Sequence, residues 1–273
     1  MSIFNKILNE KYTSISGLTD ELKAIYIYNQ YKNNSIIVVT NTIYEANILV
    51  QRLRNYTENV LFFPMDDFLT SEAIATSPDL MVNRLETLNT LLNKEKQIIV
   101  TNLMGYLRFL PTPDVYKNSI FTVKIGQDYD LSKFANHLNS IGYKRESIVT
   151  KTGEYAVRGF IIDIFPLEYD HPIRFEFFGD TIDSIRIFDE DTQKSISTIN
   201  DITIYPYSEF ILNKEIDEVI NKQKYLKQYT NVSSILDYMN DGIVFYKDYP
   251  QLTISYQNII KETIEYRNEK DID

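Results

Sequence analysis

Three groups of residues in this sequence have the types and spacing to do chemistry. The first is Gly17-Leu-Thr-Asp-Glu-Leu22-Lys23-Ala24, which has the length of a phosphate-binding loop: glycine, four residues, glycine, lysine and a hydroxyl residue. In such a loop the second glycine lets backbone amides approach phosphate, and the hydroxyl helps to hold magnesium. Here Leu22 and Ala24 stand in those places, and Asp20 and Glu21 put negative charge where a triphosphate would sit. Those carboxylates also suit the N-terminus of a helix, so a capped helix start explains the stretch. The apolar run that ends in Lys247-Asp248 departs in the same way. A nucleotide-hydrolysing strand would end in Asp-Glu to hold magnesium and orient water, and lysine brings the opposite charge. Gly17, Lys23 and Ala24, with Lys247 and Asp248, therefore read as two motor motifs stripped of their chemistry, and no catalytic role is expected of them.

The second group is carboxylates. Asp163, Glu176, Asp180 and Asp183 lie on or beside strand-like runs, and paired carboxylates can bind metals or move protons. A metal-dependent nuclease would need a Glu-x-Lys after the aspartate, but Glu176 is followed by Phe177 and Phe178, so solvated or turn-forming acids are the simpler reading. The third group is Arg158, Arg174 and Phe178. In His171-Pro-Ile-Arg-Phe-Glu-Phe-Phe-Gly-Asp180 the side chains alternate across a strand, which sends Ile173, Phe175 and Phe177 to the core and Arg174, Glu176 and Phe178 outward. An outward aromatic beside arginine is the composition of an interface anchor. Arginines paired with local acids remain the alternative for Arg158 and Arg174.

These residues must be held by two kinds of element. Up to Tyr116 strand and helix signals alternate. The Gly17 loop is expected to sit between a strand and a helix, Asp20 to Lys32. A compact strand, Ile36 to Thr40, precedes Ile43, Ala46, Val50 and Leu53 at helical spacing. Then come the strand Val60 to Phe63, a turn at Pro64 to Asp67, and a helix capped by Ser77-Pro78 with a stripe of Met81, Leu85, Leu88 and Leu92. The strand Gln97 to Thr101 and a loop punctuated by Pro111 and Pro113 follow. Apolar strands separated by helices imply a parallel sheet covered on both faces.

From Ile120 the rhythm changes. One strand, Phe121 to Ile125, and one helix, with Leu131, Phe134, Leu138 and Ile141 on a face and Gly142 as its C-cap, precede a run of strands from Tyr143 to Tyr207. Within that run, Gly153 to Asp191 reads as a three-stranded meander whose turns lie at Leu167 to Pro172 and at Gly179-Asp180. Gly159 falls inside the first strand, where glycine often marks a bulge. Helical signals return at Glu215 to Tyr229 and Ser233 to Met239, followed by a short strand, Ile243 to Tyr246, and a charged helix-like tail, Asn258 to Asp273. The fold class is thus α/β, a parallel-sheet domain split by an inserted β-rich α+β domain. The tail carries no stop signal, and the chain is expected to be part of something longer.

Composition narrows the classes. With 273 residues and 44% apolar content the chain can bury sizeable cores. A net charge of -10 argues against a broad nucleic-acid footprint. The absence of cysteine excludes disulfides and thiolate metal sites, and His137 and His171 are separate and read as solvated surface residues. The N-terminus lacks the order of a signal peptide and no run is long enough to span a membrane, so a cytoplasmic protein is expected.

At GEYAVRGFIIDIFP and HPIRFEFFGDTIDSIRIFDEDTQKS the sequence resembles the N-terminal UvrB-like module of bacterial transcription-repair coupling factors. The likeness extends upstream through FFPMDDFLTSEAIATSPDLMVNRLETLNTLL and LMGYLRFLPTPDVY to the degenerate loop GLTDELKA, and downstream to SSILDYMNDGIVFYKDYP. The resemblance implies a degenerate RecA-like domain split into residues 1–118 and 209–273, around an inserted domain at 119–208. It implies that the inserted domain binds UvrA, through Arg158, Arg174 and Phe178, and that a C-terminal domain of the parent covers this surface until activation. RNA polymerase and DNA would be reached only through parent regions absent here, where the ATP-driven motor lies. UvrB often has a further arginine two places before the one at Arg158, and Ala156 stands there. The resemblance implies no cofactor and no catalysis for this stretch. A UvrB-type ATP-dependent helicase fragment is the alternative.

Overall fold

The computed structural model describes residues 10–66, 78–93, 95–211, 231–239 and 241–270. In chain order α1 (Asp20–Tyr31), β1 (Ser35–Thr40), α2 (Ile43–Leu53), β2 (Val60–Phe63), α3 (Pro78–Leu91), β3 (Ile98–Asn102) and α4 (Leu103–Tyr106) come first. β4 (Leu110–Pro111), α5 (Pro113–Asn118), β5 (Phe121–Lys124) and α6 (Leu131–Ser140) follow. Then come β6 (Lys144–Arg145), β7 (Glu154–Arg158), β8 (Ile161–Ile164), β9 (Ile173–Phe178), β10 (Thr181–Phe188), β11 (Ser195–Thr198) and β12 (Asp201–Ile204). β13 (Val232–Ser233), a 3-10 turn at Ile235–Tyr238, β14 (Gly242–Tyr246) and α7 (Tyr249–Lys270) complete the described chain. It divides into two units, Met1–Arg108 with Ser234–Asp273, and Phe109–Ser233.

In the first unit a parallel four-stranded sheet has the order β14-β1-β3-β2. β1 and β3 bury nearly every residue in succession, which a strand covered on both faces requires. Ile36, Val38, Val60, Ile98 and Val100 pack with Ala24, Ala46, Leu49, Val50 and Leu53 from α1 and α2. The Leu22 N–H donates to Thr19 Oγ1 at 3.3 Å and the Glu45 N–H to Thr42 Oγ1 at 3.2 Å, each satisfying an otherwise orphaned donor at a helix start.

Several expectations are corrected here. Residues 10–19 form no strand, so on the described residues the Gly17 loop is not a strand-to-helix connection. The tail helix begins at Tyr249 instead of Asn258, because proline at the second position suits a first turn. The segment expected as a helix from Ser233 to Met239 is only the 3-10 turn, closed by Asp237 accepting from the Ser234 N–H at 2.7 Å. Pro113 opens a helix, with Thr112 as its cap, where a loop was expected. Asp67, the Ser77 cap and the helix expected at Glu215 to Tyr229 lie outside the described residues.

The second unit is built on a six-stranded sheet of order β11-β10-β9-β8-β7-β6, antiparallel except for β6 with β7. α6 lays Phe134 and Leu138 against Tyr155, Ile162, Ile164, Ile173, Phe175, Phe177, Ile182 and Ile185. The Phe134 and Phe175 ring centroids stand 5.2 Å apart, within the range of a favourable aromatic pair. Gly142, just past α6, has φ +101, and a Cβ there would lie 2.4 Å from that of Ser208, so this stop requires glycine. His137 is half-buried instead of fully solvated. Its ring stacks on Phe121 at 4.2 Å, and burial lowers its pKa.

The meander has four strands where three were expected. Arg158 pairs with Ile161, which makes Gly159-Phe160 a two-residue hairpin turn instead of strand interior. Phe178 pairs with Thr181 in the same way around Gly179-Asp180. Both glycines lead their turns with positive φ, +61 and +62, the geometry that matches the twist of the flanking strands. Phe160 hides the first turn in the sequence, because it continues an apolar run.

Candidate protein-docking surface

The outer face of the large sheet is organised by Asp163. Its register neighbours are Ala156 on β7 and Arg174 on β9, and Arg174 in turn faces Arg186 on β10. The buried–intermediate alternation of β9 turns Arg174 and Glu176 away from the aromatic core. Asp163 is 1% exposed, and a carboxylate that deep must be paired or protonated. It is paired twice. Arg174 donates from Nε to Oδ1 at 2.7 Å and from Nη2 to Oδ2 at 2.9 Å, a bidentate fork. Arg158 donates to Oδ2 from the hairpin end.

Arg174 is held further. Its Nη2 reaches Gln193 Oε1 at 2.9 Å and its guanidinium lies 4.3 Å from the Phe188 ring centre, a cation–π contact. The Asp163 carboxylate raises its pKa above the ordinary guanidinium value. With 16% of its side chain exposed, Arg174 is largely committed, whereas the Arg158 side chain is 42% exposed. The local-acid alternative thus describes both arginines in part, with the difference that the acid is buried. Two guanidiniums share one carboxylate, so this corner keeps a net positive charge. Beside it Glu176 accepts from Arg186 and, at 2.9 Å, from Ser184 Oγ.

Phe178 is 84% exposed at the end of β9. Sequence reasoning missed its neighbour Phe160, which is 65% exposed in the sister turn. The Phe177 N–H donates to the Phe160 carbonyl at 2.9 Å, which binds the first turn to the last residues of β9. The end of the sheet where Arg158 closes the first hairpin therefore carries two exposed aromatics. An apolar residue in the second position of a glycine-led turn is the signal that could have identified Phe160.

Two of the four carboxylates weighed for metal or acid–base work are spent as ion-pair partners, Asp163 on arginines and Glu176 on Arg186. Among the described residues His171, Asp189 and Glu190 bring possible metal-ligand atoms within 4.8 Å of one another. His171 Nδ1 is bonded to Glu190 at 3.0 Å, which raises the imidazole pKa, and Asp189 accepts from the Thr192 N–H at 2.7 Å. Each donor already has a local partner.

The charged residues of the two motor-like stretches are paired within the chain. Lys23 Nζ lies 3.0 Å from Asp20 and Arg52 Nη1 2.7 Å from it, and these cations hold the Asp20 pKa down to about 2. Ala24 is fully buried in the core, and Gly17 turns at φ +80. Lys247 sits 3.6 Å from Glu45, and Asp248, at φ +57, accepts from the Leu252 N–H at 3.1 Å at the start of α7.

Comparison with known families picks out the second unit. Residues 121–210 match the UvrB interaction domain. Asp163, both arginines and both exposed phenylalanines fall inside this interaction domain. Over 96% of its length the chain is similar to the N-terminal region of the transcription-repair-coupling factor. It is 33% identical to that of Staphylococcus aureus over 265 residues and 33% identical to that of Staphylococcus epidermidis over 266 residues, each alignment covering 96% of this chain. The alignments cover 21% of those relatives, so the chain spans about a fifth of their length. Among the described residues no helix is long and apolar enough to cross a membrane.

Proposed function

We propose that this chain is a non-catalytic recruitment module of transcription-coupled nucleotide excision repair, and that its interaction domain docks onto UvrA through Arg158, Arg174 and Phe178. The observation that carries the reading is Phe178, a large aromatic left in water at the end of β9, on the strand that also carries Arg174 of the positively charged corner. Leaving such a ring exposed forfeits about 2 kcal/mol of burial, which a partner's apolar pocket would recover. Arg158 is the guanidinium with donors to offer a partner carboxylate, while Arg174 acts mainly as the fixed support of the corner.

In this reading residues 1–118 and 209–273 are the halves of a decayed RecA-like scaffold, and residues 119–208 are the docking insertion. The internal pairing of Lys23 and Lys247 supports the loss of nucleotide chemistry in the scaffold. The parent would be an ATP-dependent translocase in the cytoplasm, with its motor in other regions. Its C-terminal domain would cover the docking face until activation, and RNA polymerase and DNA would be contacted through those other regions. A calorimetric titration of the chain with UvrA tests the reading. Phe178→Ala and Arg158→Ala are each expected to weaken binding, by about thirtyfold for Phe178→Ala. Unchanged affinity in both variants would remove this footprint.

A further inference from the structure

Two hairpins of the interaction domain, β7–β8 and β9–β10, have the same turn. Each pairs the residue before its glycine with the residue two places after that glycine, and each glycine has positive φ. In the second turn the residue after glycine is Asp180, the ordinary polar choice for a solvent-facing turn. In the first it is Phe160, which gains nothing from that place, being 65% exposed. Turn geometry therefore does not account for the ring.

Strand register places it. Ile161 faces Glu176, and the bond from the Phe177 N–H to the Phe160 carbonyl extends that pairing by one step. Phe160 thus stands across from Phe177, and Phe178 is the next residue along β9, so both exposed rings belong to the same end of the sheet. Arg158 stands at the other side of the first turn, facing Ile161. Scattered single apolar residues on a surface need no explanation, but two exposed aromatics at one end of a sheet, where Arg158 closes the first hairpin, have the composition of a binding patch.

We propose that Phe160 is a second aromatic anchor of the docking surface, seated with Phe178 in one continuous apolar depression of UvrA whose edge is acidic where it meets Arg158. The inference rests on the UvrA reading above and adds a specificity-determining residue to it. Because the anchor sits in a turn whose backbone also accepts aspartate at Asp180, the informative variant is Phe160→Asp, which keeps the turn and removes the ring.

The test is a titration of UvrA with the whole chain, comparing native protein, Phe160→Asp, Phe178→Ala and the double variant, with thermal melts alongside. Phe160→Asp is expected to weaken binding about tenfold or more while leaving the melting temperature within a few degrees. The double variant is expected to lose less than the sum of the two singles, since both rings fill one depression. If Phe178→Ala weakens binding and Phe160→Asp does not, this inference falls and the docking reading stands. If neither variant changes affinity, the docking reading itself fails. Strictly additive losses would place the rings in separate contacts. A large drop in melting temperature with Phe160→Asp would make the ring a folding residue. A native chain that self-associates, and that Phe160→Asp turns monomeric, would assign the patch to a second copy. Each of these three results overturns the proposal.

Discussion

The two units use arginine and lysine in opposite ways. In the parallel-sheet unit the cations beside the Gly17 loop, Lys23 and Arg52, close onto Asp20, which α1 itself supplies, and Lys247 closes onto Glu45. In the interaction domain two guanidiniums close onto one buried carboxylate, which leaves charge over, and two phenylalanines stand in water at one end of the same sheet. A surface that has lost its ligand satisfies its own groups. One kept for a partner leaves donors and apolar area unspent. On the proposed function, that contrast separates scaffold from docking face more clearly than the identity of any one residue does.

The contrast can be broken most forcefully at Asp163. Its replacement by alanine strands two guanidiniums, one of them largely covered, and is expected to cost on the order of 3 kcal/mol of interaction-domain stability in denaturant unfolding. Asp163→Asn, which keeps an acceptor, should cost less. If both variants were as stable as the native chain, the corner would not be held by this carboxylate. Phe178→Ala should move stability by less than about 0.5 kcal/mol, since the ring packs against nothing it needs. A larger loss would mean that Phe178 serves the fold before any partner.

The scaffold side gives smaller effects. Asp20 titrates near 2, so its pairing contributes stability that is present above the ordinary carboxylate value of 3.8 and is lost as pH falls through about 2. The pair is partly exposed, so Asp20→Asn should remove no more than about 1 kcal/mol, seen as a flatter acid limb of stability against pH. Magnesium-ATP should give no binding heat with native chain or with this variant. A measurable heat would revive the helicase-fragment alternative. The smallest effect concerns His171, whose folded pKa Glu190 raises above 6.5. Its contribution is present below the ordinary imidazole value and is lost as pH rises through the raised one. Glu190→Gln should shift the NMR titration midpoint of His171 downward, and an unmoved midpoint would show that the bond is not formed in solution.

Much of this was legible in the sequence. Alternation in Ile173 to Phe178 gave the core face and the exposed ring correctly, because period-2 patterning on a half-buried strand is a strong constraint. The parallel sheet followed from the unbroken apolar runs of Ile36 to Thr40 and Gln97 to Thr101. What could not be read was pairing across the chain. Asp163 looked like a free carboxylate because its arginines are 5 and 11 residues away and meet it only through strand register. Gly159 looked like strand interior because phenylalanine, a residue with no turn preference, follows it. His137 looked solvated because Phe121, which covers it, lies on a different element.

Hydrogen exchange on the whole chain, free and saturated with UvrA, tests the central claim most directly. Slowed exchange concentrated in residues 158–161 and 174–182, with none in 17–24 or 242–248, is the expected result. Protection confined to the parallel-sheet unit, or absent from both hairpin ends at saturation, would contradict the account.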